Sequence, residues 1–519
     1  MSEAITARGR GVESPPPVPD PNTAERLQSV QTNHVLKTAT RDLHYSASAG
    51  YLDLVGENIG GESAEEPNTK ARVFLTQYLA SAPEDIGPGS DGINPRPVIF
   101  IFNGGPGSSS VWLHLGLFGP RLAKAVAEDQ TTPLPPPYKL IDNPESPLAY
   151  ADLVLIDPVS TGYSRVVGGE KADQFHGVEE DVESVTEIIR LWVTRHNRWA
   201  SPLFIAGESY GVLRGSAVTE RLARRHGLYL RGLILISSPI TPGPMRFEPG
   251  AILSSHAFLP SYAAVAWYHG KHPGRTLAEV VQEAEEFADN KYLWALNQGN
   301  RLSGPERAEV VSTLARLTGL SAAYLQAVNL IIEKQRFYAE LLRGEGRVVG
   351  EIDGRFTGWN PDGAGERAVE DPTDQVLKGA FAGAINHYLR SELGYRNDLS
   401  YEIITDRVRP WRGPKNPFQD GTNTLGALSA ALRRNRNLKV LYQLGYYDLC
   451  TPYWGAVSDV AKLQVPPELA ANVRVSIFEA GHMIYIDERS RLAELADIER
   501  FVTEASAAES PDQPAGNVR

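Results

Sequence analysis

The sequence predicts an α/β fold: a mostly parallel central sheet wrapped by helices and interrupted by one large helical insertion. Short, mostly apolar runs alternate with helical stretches, the rhythm lapses between about 241 and 420, and it resumes near 438. Residues 97–102 (PVIFIF), 151–156 (ADLVLI), 202–206 (PLFIA), 230–236 (LRGLILI) and 438–444 (LKVLYQL) read as parallel strands. A strand covered on both faces has no use for polar alternation. Residues 473–478 (VRVSIF) do alternate, which predicts a strand nearer the sheet edge. Val178, Val182, Val185, Ile189, Trp192 and Val193 recur at spacings of three and four and form one helical stripe.

Within the insertion, Thr276–Glu279 and Ser303–Glu306 have the form of capping boxes, in which side chain and backbone at a helix start satisfy each other. Leu277, Val280, Val281, Ala284 and Phe287 then supply a helical apolar face. The expected organisation is a Pro-rich disordered tail over 1–25, a first core segment over 26–240, a helical cap over 241–420, a second core segment over 421–505 and a tail over 506–519. Residues 81–97, rich in Gly, Pro, Asp and Ser, are expected to form a surface loop.

Composition narrows the partners. The 519 residues are 42% hydrophobic and 22% charged, with a formal net charge of −12 and no long basic run. Nucleic acid and anionic membranes, which are held by clustered Lys and Arg, are therefore excluded as expected partners. A single cysteine, Cys450, rules out an intrachain disulfide and a thiolate metal site and favours a reducing compartment. No stretch approaches the ~18–20 apolar residues of a membrane span, and the first residues lack a signal-peptide core. A cytoplasmic protein without metal or cofactor is the expectation. His269 and His272 are closely spaced, but no Cys or carboxylate stands at a ligand spacing beside them.

Four segments carry chemistry. The strand ending near Ala206 runs into Gly207-Glu208-Ser209-Tyr210-Gly211 and then a helix. A nucleophilic serine on such a strand-to-helix turn is raised towards substrate, and the following amides face a developing oxyanion. Asn103-Gly104-Gly105-Pro106-Gly107 follows the strand ending at Phe102, where glycines let backbone approach a substrate and offer N–H donors. Asp448 and His482 each follow a late strand, at the strand ends where open α/β sheets place their sites. The order Ser209, Asp448, His482 is that of an α/β-hydrolase triad. Asp157 also ends a strand and competes for the acid's role, but it precedes the serine.

Taken together, these segments resemble the serine carboxypeptidases, the S10 peptidases. The resemblance rests on Asn103–Gly107, on Asp157-Pro-Val-Ser160-Thr-Gly162-Tyr-Ser164, on Gly207–Gly211, and on the late Asp448 and His482. It implies an α/β-hydrolase core with a mostly parallel central sheet and a large helical cap insertion. It further implies Ser209 as nucleophile, His482 as general base and acid, and Asp448 as the residue that orients the imidazole. The N–H groups of Gly105 and Tyr210 would form the oxyanion hole. Asn103 and Glu208 would bind the C-terminal carboxylate of a peptide substrate.

The sequence departs from the family's pattern in several places. Ile101 stands where the family often has Trp, and Leu117 where it commonly has Glu; both positions belong to the carboxylate-binding network. Ser108 and Thr451 replace or neighbour usual cysteines, Ser160 replaces a glycine, and Val212 replaces a small residue. Esterase, amidase, acyltransferase and iminopeptidase chemistry fit the same core, although iminopeptidases carry His before the glycine loop where this chain has Asn103. A non-catalytic peptide-binding module is the third reading, against which the complete set of Ser, Asp and His counts.

Overall fold

The computed structural model describes residues 29–55, 69–81, 96–167, 169–413 and 423–507. The proposed tail over 1–25, residues 508–519 and most of the 81–97 loop lie outside them. Residues 506 and 507 belong to the last helix.

Nine strands build the main sheet: β1 (Val30–Lys37), β2 (Asp42–Val55), β3 (Thr69–Ala80), β4 (Val98–Phe102), β5 (Asp152–Ile156), β6 (Leu203–Glu208), β7 (Gly232–Ile236), β8 (Lys439–Gly445) and β9 (Val473–Phe478). Their order is β1-β2-β3-β5-β4-β6-β7-β8-β9, with the short pair Arg165–Val166 joining β3. From β5 to β9 every pairing is parallel, whereas β1, β2, β3 and β5 pair antiparallel. The chain leaves β4 in one direction to reach β5 and returns past β4 to reach β6. That reversal opens a crevice between the loops after β4 and β6, the switch point where such sheets bind ligands.

β4, β5 and β7 are buried along their whole length, in keeping with their largely apolar sequences. β9 is the edge strand its alternation predicts, half-buried at every residue. Alternate residues of one strand feed two layers: Val98, Phe100 and Phe102 of β4 face one core, Ile99 and Ile101 the other. On the first side lie α1 (Val178–Arg195), with its whole predicted stripe buried, and α2 (Tyr210–His226).

Between β7 and β8 the chain is mainly helical. α3 (Leu253–Tyr268), α4 (Leu277–Phe287) and α5 (Gly304–Thr318) join the first layer. Both capping boxes form, with Thr276 and Glu279 bonding each other reciprocally, as do Ser303 and Glu306. α6 (Pro372–His387) packs instead on the opposite layer, where Phe381 meets Trp112. The insertion therefore clasps the sheet from both sides. α7 (Leu425–Arg434) returns to pack against α2, and α8 (Glu488–Ala507) covers the second face with Leu495, Ile498, Phe501 and Val502. No helix among the described residues is long and apolar enough to cross a membrane.

Candidate active site

β6 ends at Glu208 and α2 opens at Tyr210, so Ser209 alone makes the turn. Its backbone sits at φ 60° and ψ −127°, a conformation L-residues rarely adopt, at a cost of ~1–3 kcal/mol. The sheet holds it there, since the Ser209 N–H donates to Ile236 O at 2.9 Å. Small neighbours are required: a Cβ on Gly207 would stand 2.2 Å from the Gly211 carbonyl oxygen.

The loop after β4 presses against this turn. A Cβ on Gly104 would lie 2.3 Å from the Tyr210 nitrogen and 2.8 Å from the Glu208 carbonyl oxygen. The Tyr210 amide opens a helix, where the first N–H groups have no partner within the helix. Gly105 adopts φ +100°, open to glycine and strained for other residues. Gly104→Ala should therefore push the loop off the helix start and lower kcat/KM by at least ~10²-fold, the scale of losing one oxyanion donor. A wild-type rate in that variant would contradict the placement of the two segments.

Arg214 ties the same loop to the core. Its Nε donates to Asp181 Oδ2 at 2.7 Å and its Nη1 to the Asn103 carbonyl at 2.5 Å. The guanidinium also lies 5.4 Å and 5.1 Å from the ring centres of Phe102 and Tyr210.

Asp448 follows β8 and His482 follows β9, and the parallel pairing of those strands brings the two loops side by side. His482 Nδ1 lies 2.8 Å from Asp448 Oδ2. The other oxygen, Oδ1, accepts the N–H groups of Cys450 and Thr451, both at 2.8 Å. The Thr451 hydroxyl donates to Asp448 Oδ2 at 2.8 Å and also lies 3.0 Å from His482 Nδ1. Burial works to discharge the imidazole, but the charges of Asp448, Glu208 and Glu351 outweigh it and hold its pKa above the ordinary value. Asp157 is engaged elsewhere: its Oδ1 accepts both the N–H and the hydroxyl of Ser110. Burial raises its carboxyl to about 6 against those bonds.

Glu208 and Asn103 meet directly. Asn103 Nδ2 donates to Glu208 Oε2 at 3.0 Å, while Asn103 Oδ1 accepts the Leu113 N–H at 3.1 Å. Burial lifts the Glu208 carboxyl to about 7, opposed by the charge of His482 and by hydrogen bonds from Tyr485 and Asn103. Ile101 and Leu117, both fully buried and apolar, offer this pair no polar group.

Several contributors carry no signature in the sequence. Thr451 and Tyr485 each stand three residues beyond a candidate catalytic residue, and of the two only Thr451 lies near a position where the resembled family has cysteine. The insertion also reaches the histidine loop: the His482 N–H donates to Ile352 O at 2.7 Å. Arg355 bridges Asp353 and Asp487, fixing the residues on either side. His269 and His272 turn to the backbone carbonyls of Gly354 and Leu317.

The family model for serine carboxypeptidases matches residues 90–233, which span the loops after β4, β5 and β6 and stop short of Asp448 and His482. No curated protein matches the chain. Among solved structures, proline iminopeptidase from Mycobacterium smegmatis is 12% identical, with 92% of this chain and 99% of that chain covered and a TM-score of 0.35. A carboxyl esterase from Bacillus coagulans is 12% identical, with 88% and 99% covered and a TM-score of 0.33. A peroxisomal α/β-hydrolase of Saccharomyces cerevisiae is 11% identical, with 91% and 93% covered and a TM-score of 0.35. The strand order and the serine turn after β6 give the chain an α/β-hydrolase fold, and the match of residues 90–233 to the serine carboxypeptidase family model supports a serine hydrolase.

Proposed function

We propose that the protein is a serine-type carboxypeptidase, removing residues from the C-termini of peptides through an acyl-enzyme. The observation that carries this reading is the buried Glu208–Asn103 pair, placed beside His482 and raised in pKa. A carboxyl group that stays protonated near neutrality can share its proton with a substrate carboxylate, whereas an ionised one repels it. The Asn103 amide supplies a second donor to the same ligand.

The remaining roles complete this reading. Ser209 Oγ attacks the scissile carbonyl while His482 Nε2 takes its proton, and the imidazolium returns that proton to the leaving amine. Asp448, on Nδ1, keeps the ring in the tautomer that leaves Nε2 free to accept. The amides of Gly105 and Tyr210 receive the oxyanion. Water then repeats the attack on the acyl-enzyme. A single cysteine suits a reducing compartment, which we propose as the site of action.

The test is kcat/KM against pH for an N-blocked dipeptide and for its C-terminal amide, in the wild type and in Glu208→Gln. Glu208 is neutral below about 7 and ionises above it, so hydrolysis of the free acid should fall as pH rises through that value. The amide, which has no carboxylate to be repelled, should lose much less. Glu208→Gln cannot titrate and should flatten the alkaline fall. Parallel profiles for the two substrates, unmoved by the substitution, would leave a general serine hydrolase, the reading favoured by apolar Ile101 and Leu117.

A further inference from the structure

We propose that Tyr485 is a positioning residue of this carboxylate site, its hydroxyl holding Glu208 Oε2 as an acceptor so that the acid proton sits on Oε1, towards the substrate. The inference rests on the carboxypeptidase reading and names a residue that reading does not contain.

Tyr485 lies in the short turn Ile484–Ile486, three residues after His482, and its hydroxyl donates to Glu208 Oε2 at 2.7 Å. Asn103 Nδ2 reaches the same oxygen at 3.0 Å. Two donors on one oxygen favour the tautomer in which that oxygen carries no proton, because a hydroxyl there would lose an acceptor lone pair. The proton is thereby directed to Oε1, where it can be shared with a carboxylate.

The opposite wall is shaped to admit the ring. A Cβ on Gly116 would lie 2.4 Å from both Cδ2 and Cε2 of Tyr485, so only glycine leaves room. The next residue, Leu117, is fully buried and brings no carboxyl from that side. Tyr485 supplies a neutral donor in its stead, from the loop that also carries His482.

The charged and titratable groups around Glu208 come from three further directions. His482 follows β9 and favours ionisation, Asp448 follows β8 and opposes it. Glu494, on α8, is fully buried, with its own pKa pushed well up by burial and then by Glu208. Tyr485 feels both Glu208 and Glu494. Its hydroxyl bond favours the Glu208 carboxylate, so removing the bond moves the titration of Glu208 upward.

The experiment uses the full chain as Tyr485→Phe, with active sites counted by an organophosphonate probe. kcat and KM are measured from pH 5 to 9 on the N-blocked dipeptide and its amide. The expected result is an acid-over-amide preference lowered about tenfold, the value of one buried hydrogen bond, through KM rather than kcat. The alkaline limb for the free acid should move to higher pH, a shift that loosened packing alone would not produce. In Tyr485→Phe/Glu208→Gln, compared with Glu208→Gln, no acid is left to titrate and the pH shift should vanish; a shift that persisted there would show that it does not come from Glu208. An unmoved limb and an unchanged preference, in a wild type that does distinguish acid from amide, would overturn the role of Tyr485 alone. A wild type that does not distinguish them would overturn the carboxypeptidase reading, and this inference with it.

Discussion

Ser209→Ala should lower kcat by about 10⁶-fold, the loss seen when the nucleophile of a serine hydrolase triad is removed. No other hydroxyl stands on the turn between β6 and α2, and without one no acyl-enzyme forms. The fold should be unaffected. Alanine keeps the Cβ that serine already holds at φ 60°, so the backbone strain is common to both. The N–H bond to Ile236 O belongs to the main chain and survives. Unfolding free energy should therefore change by less than ~0.5 kcal/mol, the usual range for a change that touches no packing. Two readings decide the matter: steady-state turnover, and the mass of the protein after exposure to an organophosphonate. An adduct on Ser209→Ala, or turnover near wild type, would remove Ser209 from the mechanism.

The parallel half of the sheet was legible because burial on both faces leaves a signature that survives without tertiary knowledge. β1, β2 and β3 carry no such signature, although together they build the antiparallel side. β2 shows why. Leu43, Tyr45, Ala47 and Ala49 face one core, whereas Leu52 and Leu54 face the other, so its alternation changes phase part-way along the strand. Helical pattern marked the insertion, but which face of the sheet each helix covers depends on contacts far apart in sequence, such as Trp112 with Phe381.

At the site, residues bound to local turn geometry were visible and those brought in by the fold were not. Ser209, Asn103 and Glu208 sit in runs whose spacing itself states a strand, a turn and a helix. Tyr485 is one tyrosine among 21, and nothing in its neighbours announces that its hydroxyl reaches Glu208. Ser160 is the reverse case. It stands where the resembled family has glycine and accordingly adopts φ +75°, with its hydroxyl 2.9 Å from His176 Nε2.

Arg214→Met should destabilise the folded protein by about 3–5 kcal/mol, the cost of leaving one member of a buried ion pair behind. Arg214 is 2% exposed and Asp181 3%, so water cannot replace the lost partner. Even with the arginine present, burial keeps the Asp181 carboxyl above its ordinary pKa, against the pull of Arg214. Removing the cation raises that pKa further. The folded variant then binds a proton that the unfolded chain, with an ordinary carboxylate near 4, has released. Stability held by such a group is complete below the unfolded pKa and is lost as pH rises towards the folded one. The deficit relative to wild type should thus be larger at pH 8 than at pH 5. In Arg214→Met/Asp181→Leu the buried charge is gone, and more than half of the deficit should return. Activity should not return with it, because the Nη1 bond to the Asn103 carbonyl is absent in both variants and the loop beside Ser209 has lost that tether. Urea unfolding at the two pH values, with kcat/KM beside it, measures each part. Equal deficits at pH 5 and pH 8 would show that Asp181 finds another partner, and restored activity in the double variant would show that the Asn103 loop holds its place without Arg214.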